Sequence, residues 1–380
     1  MKIIFMKFKF QLFLFFSCLF FIHCSNKDSK EGYKNGMVVS ANSLASQIGI
    51  DILKNGGNAF DAAIGVQFAL SVVYPSAGNI GGGGFVVYRL NDGSVGSLDF
   101  REKAPSKATR NMYLNDNNEV YIEKSKFGHL ASGIPGSVDG MVKLHEKFGS
   151  LDWKKLLEPS IKLSKNGFKL TKNQAISLNS VKESFLKLND SSISLINKND
   201  WKENDLLVQN NLYKTLERIK NDKRAGFYSG ETAQLLLNEM NQGNGIFTLE
   251  DLDNYNSIWR EPIIGNYKNH KIISMGPPSS GGIALVQMLD GADKLNVYKY
   301  EHNSKDYIHL ISEIESRVYA DRVTYLGDPD FFEVPSNILI SDQYLQNKFS
   351  TIDLNIKTPS SEIKEGQITM NETEETTHFS

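Results

Sequence analysis

The run Gly81-Gly82-Gly83-Gly84 constrains this chain most, because four consecutive glycines can neither sustain a helix nor pack as a strand. Both of its flanks are strongly patterned. Upstream, Leu44, Ile48, Ile52 and Leu53 recur at helical spacing over Ser43 to Gly56, and Asn55-Gly56-Gly57 supplies a C-cap. Asn58 can cap a second helix. Its apolar face reads Ala59, Ala62, Ala63, Val66, Ala69, Leu70 and Val73, with side chains small enough for close approach, and Pro75 ends it. Downstream, Phe85-Val86-Val87-Tyr88 and Val95 to Phe100 are joined by Asn91-Asp92-Gly93, a hairpin with suitable turn chemistry that delivers Arg101 to the end of its second strand. Helices feeding a hairpin predict an α/β (α+β) domain. No repeat and no Pro/Gly/Ser linker divides the chain after Gly36, so one domain is expected. The glycine run lacks a following Lys-Ser/Thr and is no phosphate loop; close backbone packing is its expected use.

The N-terminus is of another kind. Lys2, Lys7 and Lys9 precede the apolar run Leu12 to Ile22, too short to span a bilayer as a mature helix, which reads as a secretory signal over residues 1–24. It ends in Phe21-Ile22-His23-Cys24-Ser25-Asn26, which looks like a bacterial lipoprotein processing site with Phe21 and His23 departing from the usual pattern. Cys24 is thus a candidate for lipidation, against the plainer reading of an apolar residue closing the segment. The expectation is an exported protein, periplasmic or on the outer surface, with a lipid anchor if Cys24 is modified. Residues 25–35 are polar and Lys-rich, a tether. The chain's two cysteines, Cys18 and Cys24, both precede the tether, so the body after it has no disulfide, thiol nucleophile or thiolate metal site. A formal charge of −2 offers no basic footprint for nucleic acid.

The stretch from about Leu151 to Leu252 reads as helix-rich, with Asn189 to Asp205 its most polar part. A later helix is predicted through Tyr307, Ile311, Ile314 and Val318, with Asp306 near its start. His309 and Glu313 lie one turn apart on it, but two residues make no metal site, and none is expected. From Thr351 to Glu375 the chain is polar and loop-like, leading into Thr376-Thr377-His378-Phe379-Ser380.

Several blocks resemble the γ-glutamyltransferase family of N-terminal-nucleophile hydrolases. They are Gly36 to Ser40, Lys54 to Ala63, Gly81 to Phe85, Leu98 to Pro105, Gly133 to Gly136, Pro277 to Gly282, and Asp321-Arg322 with Leu326 to Pro329. The match in Thr376-Thr377-His378-Phe379-Ser380 is the most specific: in the family the precursor cuts itself before the first threonine of such a stretch. The resemblance implies a four-layer αββα sandwich. It implies that residues 36–375 correspond to the large subunit and 376–380 to the first residues of a small subunit, nearly all of which would lie beyond Ser380. It also implies autocleavage between Glu375 and Thr376, Thr376 as nucleophile, and Arg101 as the residue that binds the substrate α-carboxylate.

The residues suit that chemistry. A threonine hydroxyl is a weak nucleophile until a base takes its proton. A cut before Thr376 would give the same residue an α-amine with a reference pKa near ~8, a better base at neutral pH than a lysine near ~10. A guanidinium at Arg101 could grip a carboxylate through two parallel hydrogen bonds, although an ordinary pair with Asp99 or Glu102 is equally open on spacing. By resemblance, the reaction would be transfer of a γ-glutamyl group from glutathione or a related donor to an amino acid, a peptide or water, with no metal or organic cofactor. A poly-γ-glutamate depolymerase or acylase on the same scaffold, or a truncated noncatalytic exported relic, remain the rival readings.

Overall fold

The computed structural model describes residues 35–189, 192–198 and 200–368. The chain divides into two compact units, Met1–Val39 and Ser40–Ser380, and every described helix and strand belongs to the second. Asn42 accepts the Leu44 N–H and starts helix α1, Ser43–Lys54; Asn55 and a left-handed Gly56 (φ 90) close it, as the sequence predicts. Its buried face is Ala45, Gly49 and Ile52 with Ile48 beside them, while Leu44, expected inward, is exposed. Helix α2, Ala59–Val73, opens with a capping box: Asn58 accepts the Phe60 and Asp61 N–H groups, and Asp61 accepts the Asn58 N–H at 2.9 Å. Packing from several sides buries Ile64, Phe68, Ala69 and Val72 completely or nearly so, whereas Ala59 and Ala63 of the predicted face are exposed.

The hairpin forms as predicted. Strands β1, Phe85–Arg89, and β2, Val95–Asp99, pair antiparallel with Phe85 opposite Asp99, and Gly93 supplies the left-handed turn residue (φ 89). Two further short strands, β3 (Phe168–Lys169) and β4 (Leu206–Leu207), form a separate ladder. Strand β5, Ile258–Arg260, returns from far along the chain to pair with β2, and β6 (Ile263–Tyr267) and β7 (His270–Ser274) form another hairpin. The fold is mixed α/β. Its described strands make one three-stranded and two two-stranded antiparallel sheets.

Helices α3 (Ser137–Phe148), α4 (Trp153–Asn166), α5 (Lys172–Leu186), α6 (Asn210–Asp222) and α7 (Gly230–Gln242) occupy the middle of the chain. The polar stretch from Asn189 to Asp205 is nonetheless anchored, by Ile196 and by Trp201, whose indole N–H donates to the Leu195 carbonyl at 2.9 Å. Helices α8 (Gly281–Lys294), α9 (Lys305–Tyr325) and α10 (Asp342–Phe349) come next, α9 capped by Ser304 and extending beyond the predicted apolar stripe. The apolar core has two centres. One gathers Phe68, Leu98, Leu156, Leu157 and Tyr228; the other gathers Ile283, Leu310, Ile314, Val318 and Leu345.

Three charges on α9 are also buried, and periodicity did not reveal them. Glu313 binds Arg317 at 2.6 Å and accepts the Thr358 hydroxyl at 2.7 Å and its N–H at 2.9 Å. Burial pushes the Glu313 carboxyl up, but its bonds to Thr358 and Arg317 outweigh that and hold it below the ordinary value. Asp321 binds Lys348 at 2.6 Å, the Gln287 amide at 3.0 Å and the Gly366 N–H at 2.9 Å. With the Asp353 carbonyl at 2.9 Å from His309 Nε2, these contacts lay residues 351–368 along α9. The His309–Glu313 pair therefore serves as a tether, and no metal-holding cluster exists among the described residues. No helix among them is long and apolar enough to cross a membrane.

Candidate active site

A cleft of about 860 Å³ opens beside the end of β2, and Gly83, Gly84, Arg101, Ser279, Ser280 and Arg322 are among its lining. Its volume lies within the usual range for ligand pockets. Five of the sequence blocks that carry the resemblance contribute to its lining or support.

The glycine run contributes Gly83 and Gly84 to the lining. Gly82 O accepts the N–H groups of Gly136 and Ser137 at 2.7 and 3.0 Å, and Gly84 exchanges backbone hydrogen bonds with Phe100. A Cβ on Gly83 would stand 2.4 Å from the Phe100 carbonyl and 2.8 Å from Arg101 Cα. No side chain fits there without moving the backbone that presents Arg101. Gly83→Ala should therefore cost about 1–3 kcal/mol of stability. Denaturant unfolding checks this, and a wild-type value would show that this backbone yields freely.

Arg101 itself is fixed through its main chain and left open at its head. Its N–H donates to Asp99 Oδ1 at 3.0 Å, and its carbonyl accepts the Tyr255 hydroxyl at 2.8 Å. Burial pushes the Tyr255 phenol far above its ordinary value, so it stays a donor across the working pH range. Tyr255 stacks on Tyr228, with centroids 5.7 Å apart, and Tyr228 donates to the Pro135 carbonyl at 2.8 Å. The Arg101 side chain is exposed and has no ion pair or hydrogen bond among the described residues.

The plain alternative, an Arg101–Asp99 pair, fails because Asp99 belongs to another arginine. Arg260 Nε lies 2.7 Å from Asp99 Oδ2, and its two terminal nitrogens each lie 2.9 Å from an oxygen of Asp330. The bond to Arg260 holds the Asp330 carboxyl below its ordinary value, and the two carboxylates raise that of Arg260. The arrangement stitches β2 to β5 and to the turn after α9, and all three residues line the cleft. Nothing in the spacing of the sequence pointed to Arg260, because 161 residues separate it from Asp99.

Pro278, Ser279 and Ser280 are also in the lining: Pro277-Pro278-Ser279-Ser280 forms the turn expected there, and α8 begins at Gly281. Glu375, Thr376, Thr377 and His378 lie outside the described residues, as do Cys18 and Cys24.

The gamma-glutamyltranspeptidase family model matches residues 45–380, a span that includes every block lining this cleft. This chain belongs to the gamma-glutamyltranspeptidase family. It is 42% identical to the glutathione hydrolase proenzyme of Escherichia coli K12 over 353 residues, which cover 91% of this chain and 60% of the relative. It thus spans about three fifths of that relative's length. Among solved structures it resembles the gamma-glutamyltranspeptidase of Helicobacter pylori, at 44% identity and a TM-score of 0.85, covering 88% of this chain and 97% of that one. The transpeptidase enzyme CapD of Bacillus anthracis is more distant, at 30% identity and a TM-score of 0.68, covering 83% and 99%. The expected fold is thereby shown to be that of these N-terminal-nucleophile hydrolases.

Proposed function

We propose that this chain carries the large-subunit part of a γ-glutamyltransferase precursor that acts on glutathione and related γ-glutamyl donors. The observation that carries this reading is Arg101: a cleft-lining guanidinium with no ion-pair partner among the described residues, its backbone pinned by Asp99 and Tyr255, suits the free α-carboxylate of a γ-glutamyl group. The relatives named glutathione hydrolase proenzyme support the donor and the need for a cut.

Self-cleavage would begin with Thr376 Oγ attacking the Glu375 carbonyl, transferring the acyl group from nitrogen to oxygen; water then opens the ester and leaves a free Thr376 amine. In turnover that amine takes the hydroxyl proton as Oγ attacks the donor's γ-carbonyl. The C–N bond breaks, and the leaving amine takes the proton. Water or an acceptor amine then attacks the γ-glutamyl ester and releases Thr376. Arg101 holds the α-carboxylate throughout, orienting the γ-carbonyl.

Export is part of the proposal and rests on the Lys2-to-Ile22 segment; lipidation rests on Cys24. The test is expression with the coding sequence that continues past Ser380, followed by intact-mass measurement and assay of cysteinylglycine release from glutathione. Two chains separated between Glu375 and Thr376, with release, are expected; an uncut, inactive protein would end the proposal. In the matured enzyme Arg101→Ala should lower kcat/KM for glutathione by about 10²-fold, the loss of two charge-assisted hydrogen bonds. Arg101→Lys should restore little of it, because an ammonium cannot reproduce the fork. Wild-type kinetics in Arg101→Ala would remove the residue from the site.

A further inference from the structure

Three arginines line the cleft, and they differ in what they hold. Arg260 is saturated by Asp99 and Asp330. Arg101 and Arg322 have no acid partner among the described residues. Arg322, in the last turn of α9, spends only Nε, which donates to Ser280 Oγ at 3.0 Å; its two terminal nitrogens keep four N–H donors open. The guanidinium also lies 5.8 Å from the Tyr319 ring centroid, a cation–π contact that leaves its N–H donors open. Of the acids lining the cleft, Asp99 and Asp330 pair with Arg260, and neither Asp328 nor Glu102 forms an ion pair with Arg322 among the described residues. Among the described residues, one cleft therefore presents two guanidiniums without an ion-pair partner, Arg101 anchored through its main chain and Arg322 through Nε, each with its terminal nitrogens free.

That arrangement matches a ligand with two carboxylates. A γ-glutamyl peptide has one on the glutamyl Cα and another at its C-terminus, on opposite sides of the γ-amide that breaks. The structure assigns Arg322, oriented by Ser280, as the residue that binds the C-terminal carboxylate of the donor's leaving group and selects γ-glutamyl peptides over donors with a neutral leaving group. The assignment rests on the proposed reaction and on Arg101 holding the other carboxylate.

The experiment compares glutathione with its glycyl ethyl ester, in which an ethyl ester replaces that second charge, on matured wild type, Arg322→Ala, Arg322→Lys and Arg101→Ala. Wild type is expected to have the lower KM for glutathione. In Arg322→Ala the advantage should shrink about tenfold, the effect of a charge-assisted bond at an exposed site, with kcat for glutathione within about twofold because the contact is remote from the breaking bond. Arg322→Lys should recover part of the advantage. Arg101→Ala should raise KM for both donors and leave their ratio within about twofold. An unchanged ratio in Arg322→Ala, or equal losses on both donors, overturns the assignment; equal losses are what a purely structural Arg322 would give. If wild type turns over neither donor, the proposed function falls and the assignment with it, a pattern distinct from the other two.

Discussion

Thr376→Ala, expressed with the coding sequence that continues past Ser380, is expected to remain one uncut chain and to lose glutathione turnover by about 10⁴-fold or more, the scale seen when a covalent nucleophile is removed. Both losses have one cause. The hydroxyl that would open the Glu375–Thr376 bond is the one that would later attack the donor, and the amine that would activate it exists only after the cut. A partial variant separates the two requirements. Thr376→Ser keeps the hydroxyl but lacks the β-methyl that restricts χ1, so it should still cut, more slowly, and retain measurable turnover. Intact mass and kinetics of the three proteins decide the matter. Cleavage of the alanine variant at the same bond and rate would mean that another group does the cutting.

Asp321→Ala should destabilise the fold by about 3–5 kcal/mol in denaturant unfolding. Asp321 is 1% exposed and is the partner of the Lys348 ammonium, itself buried. Its removal also leaves the Gln287 amide short of one acceptor and the Gly366 N–H without its partner. Burial already pulls the Lys348 amine below its ordinary value even with Asp321 opposing it, so without Asp321 the shift deepens. A lowered folded-state pKa means that the unfolded chain binds more protons between that value and the ordinary lysine value near ~10. Stability of the variant should therefore rise with pH across that window. The double variant Asp321→Ala/Lys348→Met, with no buried charge left, should recover at least half of the loss. A single variant within about 1 kcal/mol of wild type, well under the usual cost of stranding a buried charge, would show that Lys348 finds water instead. Since Asp321 also fixes Gly366, ten positions before Thr376 in the sequence, the same variant should mature more slowly.

The local elements were legible because their signals are short-ranged. The Asn58 cap, the Asn55-Gly56-Gly57 C-cap and the Asn91-Asp92-Gly93 turn each depend on a few adjacent residues, and each appears as read, whereas the Asn42 cap was not read from the sequence. The faces of α1 and α2 were legible only in part. Leu44, Ala59 and Ala63 are apolar yet exposed, because which flank of a helix is covered depends on what arrives from elsewhere. In the cleft, Arg101, Ser279, Ser280 and Arg322 could all be singled out from their blocks, but their roles could not be separated. Spacing offered Asp99 and Glu102 as partners for Arg101, and the actual partner of Asp99 enters on a strand 161 residues later.

The sequence by itself determined the mixed α/β character, the hairpin that presents Arg101, the family of the chain and the candidate bond before Thr376. These rest on caps, turns and residue types, which act over a few positions whatever the rest of the chain does. Only the tertiary structure decided which charges are free. Glu313, Arg317 and Asp321 recur every fourth residue on α9, the pattern of a solvated stripe, yet residues 351–368 cover them and make them a buried anchor. Arg260, Arg101 and Arg322 carry the same charge, but among the described residues only the first of these forms ion pairs. A charge's role is set by the groups that surround it in space and by how much water they displace, and neither is written in its neighbours along the chain.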